Sequence, residues 1–277
     1  MLGRIAVHLR DDPQCERRID TAFALARAHQ ATVIGVCPMD NALGHYHTTV
    51  LPQEARAWLA NQSRDGCEQA SQLFLDKAAQ ADVKTELRQP KGIAEEMLSL
   101  HARFCDLLIM SKSTQGEEAQ TLGPNLLVTT IMGAGRPILV LPNYTHMDTI
   151  GKRILYCWDQ KRESARAFTD ATPFLQNCES LTVLEIDRDD QALTHNDIHE
   201  DDIIQYCVSR NYPTPTHLVK RSHTTPIGNV ILNTASDMDA DLIVMGAYGH
   251  SRVRQWILGG ASRTMLSSLT VPVLMAQ

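Results

Sequence analysis

The 277-residue chain carries 26 Lys and Arg against 32 Asp and Glu, a formal net charge of −6 with a pI near 6.0. That balance excludes a general binder of nucleic acid or anionic membrane, which needs a basic face. No run approaches the ~20 unbroken apolar residues of a membrane-spanning helix, and the length suits one large domain or two of roughly 100–150 residues.

The opening Met-Leu-Gly-Arg-Ile-Ala-Val-His8 is too short and polar for a signal peptide and reads as a first strand, Ile5–Leu9. Ile19, Phe23 and Ala26 follow at i, i+4, i+7, one face of a helix. Thr32–Val36 reads as a second strand, and residues 53–81 as a longer helix rich in Ala, Gln and Leu. Ile93, Met97, Leu100 and Phe104 continue a helical stripe expected to pack on a sheet. Asp106-Leu-Leu-Ile-Met110 is a buried strand, and Ile138–Leu141 a closing strand entered through Pro137. The polar stretch Asn143–Thr149 then joins two halves, 1–146 and 147–277.

The second half repeats the first. Ile154–Trp158 and Leu181–Ile186 read as its first two strands, Asp241-Leu-Ile-Val-Met245 as its fourth and Val273–Met275 as its last, entered through Pro272. Asp106 to Asp241 and Pro137 to Pro272 share one offset across some 30 residues, which chance does not readily produce. The order βαβαβαβαβ in each half predicts an α/β fold of two homologous, doubly wound, parallel five-stranded sheets. Proline cannot donate to a ladder, so each closing strand is expected at an edge, where the two edges would pair and make an intramolecular pseudo-two-fold dimer. Met97, Met110, Met132 and Met245 read as core.

Seven cysteines lie scattered, with no Cys-x-x-Cys, and read as reduced thiols of a cytoplasmic protein. Cys157 falls within a strand and is expected to be inert. Trp158 would either border a ligand or fill the core. His45 and His47 follow the second strand of half one. His195 and His199 stand i, i+4 among Asp197, Glu200, Asp201 and Asp202, a spacing zinc accepts. No His-Glu-x-x-His accompanies them and the acids suit a solvated helix start, so no metal is assigned. There is no nucleophile–base arrangement, and no catalytic residue is named.

Four glycines after the fourth strand of half two carry the functional signal. Gly246 and Gly249 shape a loop whose amides can face an anion, while Gly259 and Gly260 open the helical segment beginning at Ala261. The C-terminal ends of parallel strands are where doubly wound sheets bind ligands. Half one has Ser111, Thr114, Pro124 and Asn125 at the equivalent places and reads as a degenerate partner.

The pattern Gly246-x2-Gly249-x9-Gly259-Gly260, behind Asp241-Leu-Ile-Val-Met-Gly and ahead of Val271-Pro-Val-Leu, resembles the universal stress protein family. The tandem arrangement resembles its two-domain members. The resemblance implies an adenine nucleotide alpha hydrolase-like fold in each half and ATP, with Mg²⁺ as companion ion, at the glycine loop. It assigns Asp159 to the adenine or ribose side, Ile186 to the backbone contact after strand two, and Met245, Gly246, Gly249, Gly259, Gly260 and Ala261 to the phosphate loop. His250, Arg252 and Arg254 are placed to assist the phosphates. Gly260 departs from the family's Ser or Thr and removes one hydroxyl donor. The implied role is a stress-response sensor or regulator, monomeric or homodimeric, acting on a protein partner that the residues do not name. The alternative is a scaffold in which neither half binds nucleotide.

Overall fold

The computed structural model describes residues 1–39, 52–112, 126–143, 149–187, 200–222, 224–247 and 260–277. It divides into two compact units, Met1–Ile138 and Leu139–Gln277.

In the first unit β1 (Arg4–His8) leads to α1 (Cys15–His29), β2 (Thr32–Val36), α2 (Gln53–Gln80), β3 (Thr85–Arg88), α3 (Ala94–Ala102), β4 (Leu107–Ser111) and α4 (Leu126–Ala134). The strands run parallel in the order β3-β2-β1-β4, with Ile5 beside Val33 on one side and Leu107 on the other. The chain winds outward from β1 in both directions, which makes the β1/β4 gap the switch point. β5 (Ile138–Leu141) begins after Pro137, whose carbonyl accepts from Leu108 N at 3.1 Å. The proline thus joins the ladder through its acceptor alone.

The second unit repeats this order. It contains β6 (Arg153–Trp158), α5 (Arg162–Asp170), a one-turn α6 (Thr172–Leu175), β7 (Ser180–Asp187), α7 (Glu200–Ser209), β8 (Thr216–Arg221), α8 (Ile227–Asp237), β9 (Leu242–Gly246), α9 (Gly260–Ser267) and β10 (Val273–Ala276). All five strands are parallel, in the order β10-β9-β6-β7-β8. As at Pro137, the proline entering β10 joins the ladder through its acceptor, Pro272 O accepting from Ile243 N at 2.9 Å. Among the described residues no helix is long and apolar enough to cross a membrane.

The inner strands read as unbroken apolar runs because helices cover them on both faces. Ile5, Ala6, Val7, Leu107–Met110, Ile154–Tyr156 and Leu242–Val244 are all buried. On α1 the expected Ile19, Phe23 and Ala26 are buried, together with Cys15, Arg18 and Ala22.

Two expectations fail. The later part of the predicted stripe faces away from the core: Leu100 is 47% and Phe104, just past α3, 79% exposed, while Ile93 and Met97 are half-buried and Leu98, Ser99 and Ala102 are buried. Met132 on α4 is 46% exposed, not core. The cause is close packing of α3 on α4 through small residues. A Cβ on Gly133 would lie 3.0 Å from Ser99 Oγ, so that seam takes small side chains and turns the large ones outward.

One aspartate in each unit ties its fourth strand to its first. Asp106 Oδ2 accepts from Gly3 N (2.7 Å) and Arg4 N (2.9 Å). Asp241 is buried and accepts from Gly151 N (3.1 Å), Lys152 N (3.1 Å), Arg153 N (2.8 Å) and the Thr149 hydroxyl (2.6 Å). A carboxylate with several backbone donors stabilises strongly, and its removal leaves those donors buried without partners. Asp241→Ala is expected to cost about 2–4 kcal/mol, and Asp106→Ala, at an exposed site with two donors, less. Urea unfolding of both variants checks the order.

Candidate functional site

The strand ends of the second unit carry the predicted residues. Cys157 pairs with Met245 and Trp158 with Glu185, so the next residues, Asp159 after β6 and Ile186 near the end of β7, stand at one rim with Gly246. Met245 is buried and Ile186 half-buried. Gly260 and Ala261 open α9. Thus Asp159, Ile186, Met245 and Gly246 come together. Gly249, His250, Arg252, Arg254 and Gly259 lie outside the described residues, as do Tyr248, Thr114, Pro124, Asn125, His45, His47, His195 and His199. Among the described residues no group of three or more metal-ligating side chains occurs.

Gly246 is glycine for a reason the sequence did not show. A methyl group there would sit 2.6 Å from Glu163 C and from Ser164 N, in the first turn of α5. The neighbour is backbone and cannot step aside, so β9 and α5 meet as closely as they do only without a side chain. Tyr156 reinforces the contact, donating from its hydroxyl to Ser164 O at 3.1 Å.

Charges at this rim are paired. Asp159 is exposed and accepts from Lys161 N (3.2 Å) and Nζ (3.0 Å), an Asx-type turn that leads into α5. Arg162 Nε lies 2.7 Å from Glu163 Oε1, and that bond holds the Glu163 carboxyl below the usual range. Glu185 Oε1 lies 3.3 Å from His217 Nε2 on the neighbouring strand. Trp158 is half-buried, its ring 6.1 Å from that of Tyr156. It therefore belongs to an aromatic stack with Tyr156 and Phe168 while keeping an edge at the rim. Cys157 is half-buried, and burial pushes its thiol up to about 12, as expected for an inert cysteine.

The same place in the first unit is filled by Arg18, which the sequence reading passed over. Its side chain is 1% exposed. Nε donates to His8 O (2.7 Å), Nη1 to Asp12 Oδ1 (2.9 Å) and Ser111 Oγ (2.6 Å), and Nη2 to Asp12 Oδ2 (3.0 Å) and Arg10 O (3.3 Å). A guanidinium has five N–H donors, and all five are used. The fork on Asp12 offsets the charge, which makes burial tolerable. The cavity left between His8, Arg10, Arg18, Ser111, Lys112 and Leu127 is about 20 Å³, room for about one water. The signal was present: Arg18 stands three residues after Cys15 and four before Ala22, on the buried stripe of α1.

Ile5 and Ile154 hold equivalent register positions, as do Leu107 and Leu242. Counting from them, Arg18 corresponds to Ala167, Arg10 to Asp159, Asp12 to Lys161, Ser111 to Gly246 and Lys112 to Ala247. Charge is exchanged between the loops that follow the first strands, and the wedge-shaped Arg18 gives way to a methyl group.

The sequence profile of the Universal stress protein family matches residues 151–277. A universal stress protein from Archaeoglobus fulgidus DSM 4304 has a similar fold, with TM-score 0.66 and 14% identity over 99% of this chain and 98% of that one. A functionally unknown protein from Pseudomonas aeruginosa PAO1 gives 0.61 and 14% over 99% and 92%. No curated protein matches in sequence. The second half is therefore a doubly wound, parallel α/β domain with its rim at the β6/β9 switch point. More narrowly, residues 151–277 match the universal stress protein family profile, and a universal stress protein has a similar fold along nearly the full length of the chain.

Gly246→Ala should destabilise by about 1–3 kcal/mol, because overpacking against backbone finds no relief. Ser111→Gly should cost about 1.5–3 kcal/mol, because it removes an acceptor from the buried Arg18 guanidinium. Chemical denaturation of the two variants tests both values.

Burial and the nearby Arg18 and Arg10 hold His8 well below the ordinary imidazole range. Above about pH 6.5 His8 is neutral whether folded or unfolded. Below it the unfolded chain takes up a proton that the folded chain refuses, so stability falls as pH falls. His29 and His101, also lowered by burial, add in the same direction. The urea midpoint should drop between about pH 7.5 and about pH 5, and His8→Asn should flatten that drop.

Proposed function

We propose that the chain is a stress-response protein in which the second half, 147–277, holds an adenine nucleotide at the rim of β6 and β9, while the first half, 1–146, is a ligand-independent partner domain. The observation that carries this reading is the contrast between Arg18 and Ala167. One half fills its switch point with a saturated guanidinium, and the other puts a small side chain there. Asp159, level with Ile186 and Trp158, suits the ribose and adenine end, where a carboxylate accepts from hydroxyls and an aromatic edge offers stacking. Because Lys161 and Arg162 are each engaged by a carboxylate, charge for the phosphates comes from the glycine segment itself: its amides, His250, Arg252 and Arg254. ATP with Mg²⁺ is the proposed ligand, and binding shifts the protein between partners rather than supplying chemistry.

One observation favours the second reading, a scaffold that binds no nucleotide. Gly246 is already required by its contact with α5, so its presence does not demand a ligand. Gly260 in place of Ser or Thr points the same way.

Calorimetric titration of the full chain with ATP and Mg²⁺ separates the two. The nucleotide reading expects one site per chain, lost in Gly249→Val, weakened about tenfold or more in Asp159→Ala, and kept in Arg18→Met. A charged hydrogen bond contributes about 1.5–3 kcal/mol, which sets that factor. No heat at millimolar ATP, or binding that survives Gly249→Val and fails in Arg18→Met, would overturn it.

A further inference from the structure

Cys37 and Cys67 face each other in the first unit, at the carboxyl end of β2. Cys37 follows β2, and Cys67 lies in the middle of α2. Each thiol donates to the other residue's carbonyl: Cys37 Sγ to Cys67 O at 3.7 Å and Cys67 Sγ to Cys37 O at 3.6 Å. These reciprocal contacts make the two thiols close neighbours, and the two side chains interact with each other directly. Cys105 and Cys178 instead donate to carbonyls a few residues before them in sequence, His101 and Leu175.

The two sulfurs differ. Gln89 Nε2 donates to Cys67 Sγ at 3.7 Å and to Ser71 Oγ at 3.1 Å, and Ser71 Oγ lies 3.9 Å from the same sulfur. Cys67 Sγ thus lies among polar side chains. Burial raises the Cys37 thiol well above its ordinary range, so Cys37 is a slow nucleophile toward peroxide. Both are buried, but α2 is largely exposed over the turns before Cys67, and Trp58 is 61% exposed. Local lifting of those turns gives a small oxidant access.

We infer that Cys37 and Cys67 are a modification site for a peroxide, closing to a disulfide that fastens α2 to the end of β2. The Cys67 sulfur, losing its proton, attacks one oxygen of hydrogen peroxide and the O–O bond breaks. Cys67 becomes a sulfenic acid, and the departing hydroxide takes up a proton to leave as water. The Cys37 sulfur, losing its proton, then attacks Cys67 Sγ. The S–S bond forms, the S–O bond breaks, and the hydroxide leaves as a second water. Two thiols are oxidised and one peroxide is reduced.

The test uses the full reduced chain, treated with hydrogen peroxide, alkylated with iodoacetamide and mapped by mass spectrometry. The expected product is a peptide pair joined through Cys37 and Cys67, two hydrogens lighter than its reduced parts and released by dithiothreitol. Its thermal midpoint should rise by a few degrees, as a loop closed by a crosslink predicts. In Cys37→Ala the sulfenic acid on Cys67 should be trapped by dimedone. Both cysteines still alkylated after peroxide, or either joined to a different cysteine, would overturn the site. The mapping on the wild-type chain decides even where a variant folds poorly. A Cys37→Ala chain that folds and gives no dimedone adduct would overturn the order of attack.

Discussion

The alignment of the first and fourth strands fixes everything at the rim, and a carboxylate sets it in each half. Asp241 gathers three backbone amides and a hydroxyl at the entrance to β6. Parallel strands slide by two residues without changing the face of any side chain, so an apolar pattern alone leaves their register loosely fixed. A buried carboxylate with four donors removes that freedom, because a slipped register would leave it unpaired. With Ile154 held beside Leu242, the ends of β6 and β9 fall level, and Asp159 and Gly246 stand at one rim. Asp106 does the same for β1 and β4 with two amides.

On that shared frame the two halves diverge in one exchange. The end of a parallel sheet presents carbonyls and amides that need partners. In the first half Arg18 supplies them from within, joining the loop after β1 to the end of β4 through Asp12 and Ser111. Ala167 brings no donor to the matching place. On the nucleotide reading, the absence of glycines in half one is therefore the lesser difference between the halves. Serine at 111 is compatible with the fold there because its hydroxyl accepts from Arg18, whereas Gly246 must stay bare because α5 presses on it.

Much of this architecture was legible in the chain. Period, proline placement and the repeated Asp and Pro offsets were enough to place the inner strands and the parallel winding. The misses have physical causes. The Leu100 and Phe104 stripe has helical period, but period does not say which face is inward when a glycine–serine seam decides the packing. β3 is the short, polar Thr-Glu-Leu-Arg88 at a sheet edge, half solvated, so it lacks the apolar run that marks its neighbours. Helix ends were also hard to see. α1 and α8 close through left-handed Gln30 and Asp239, with Ala31 N bonded to Ala26 O and Ala240 N to Ala235 O. The closure is one usually marked by glycine, made here by residues that give no such sign. At the rim, Asp159 and Ile186 were placed by the family resemblance and Gly246 by the glycine spacing. Arg18 was hidden because a charged residue on an apolar stripe looks like an interruption until its five acceptors are seen.

The exchange at the rim has an energetic consequence for the nucleotide reading. A ligand that binds only the folded state stabilises it by mass action, about 2.7 kcal/mol when its concentration is a hundredfold above its dissociation constant. In the first half Arg18 is part of the chain, so its contribution is constant and independent of any metabolite. In the second half the same contribution would vary with nucleotide supply, because Ala167 leaves it to something outside the chain. One half would then keep a fixed stability while the other followed the nucleotide level. A single polypeptide can in this way report a concentration as a difference between two copies of one fold, with no large motion required of either.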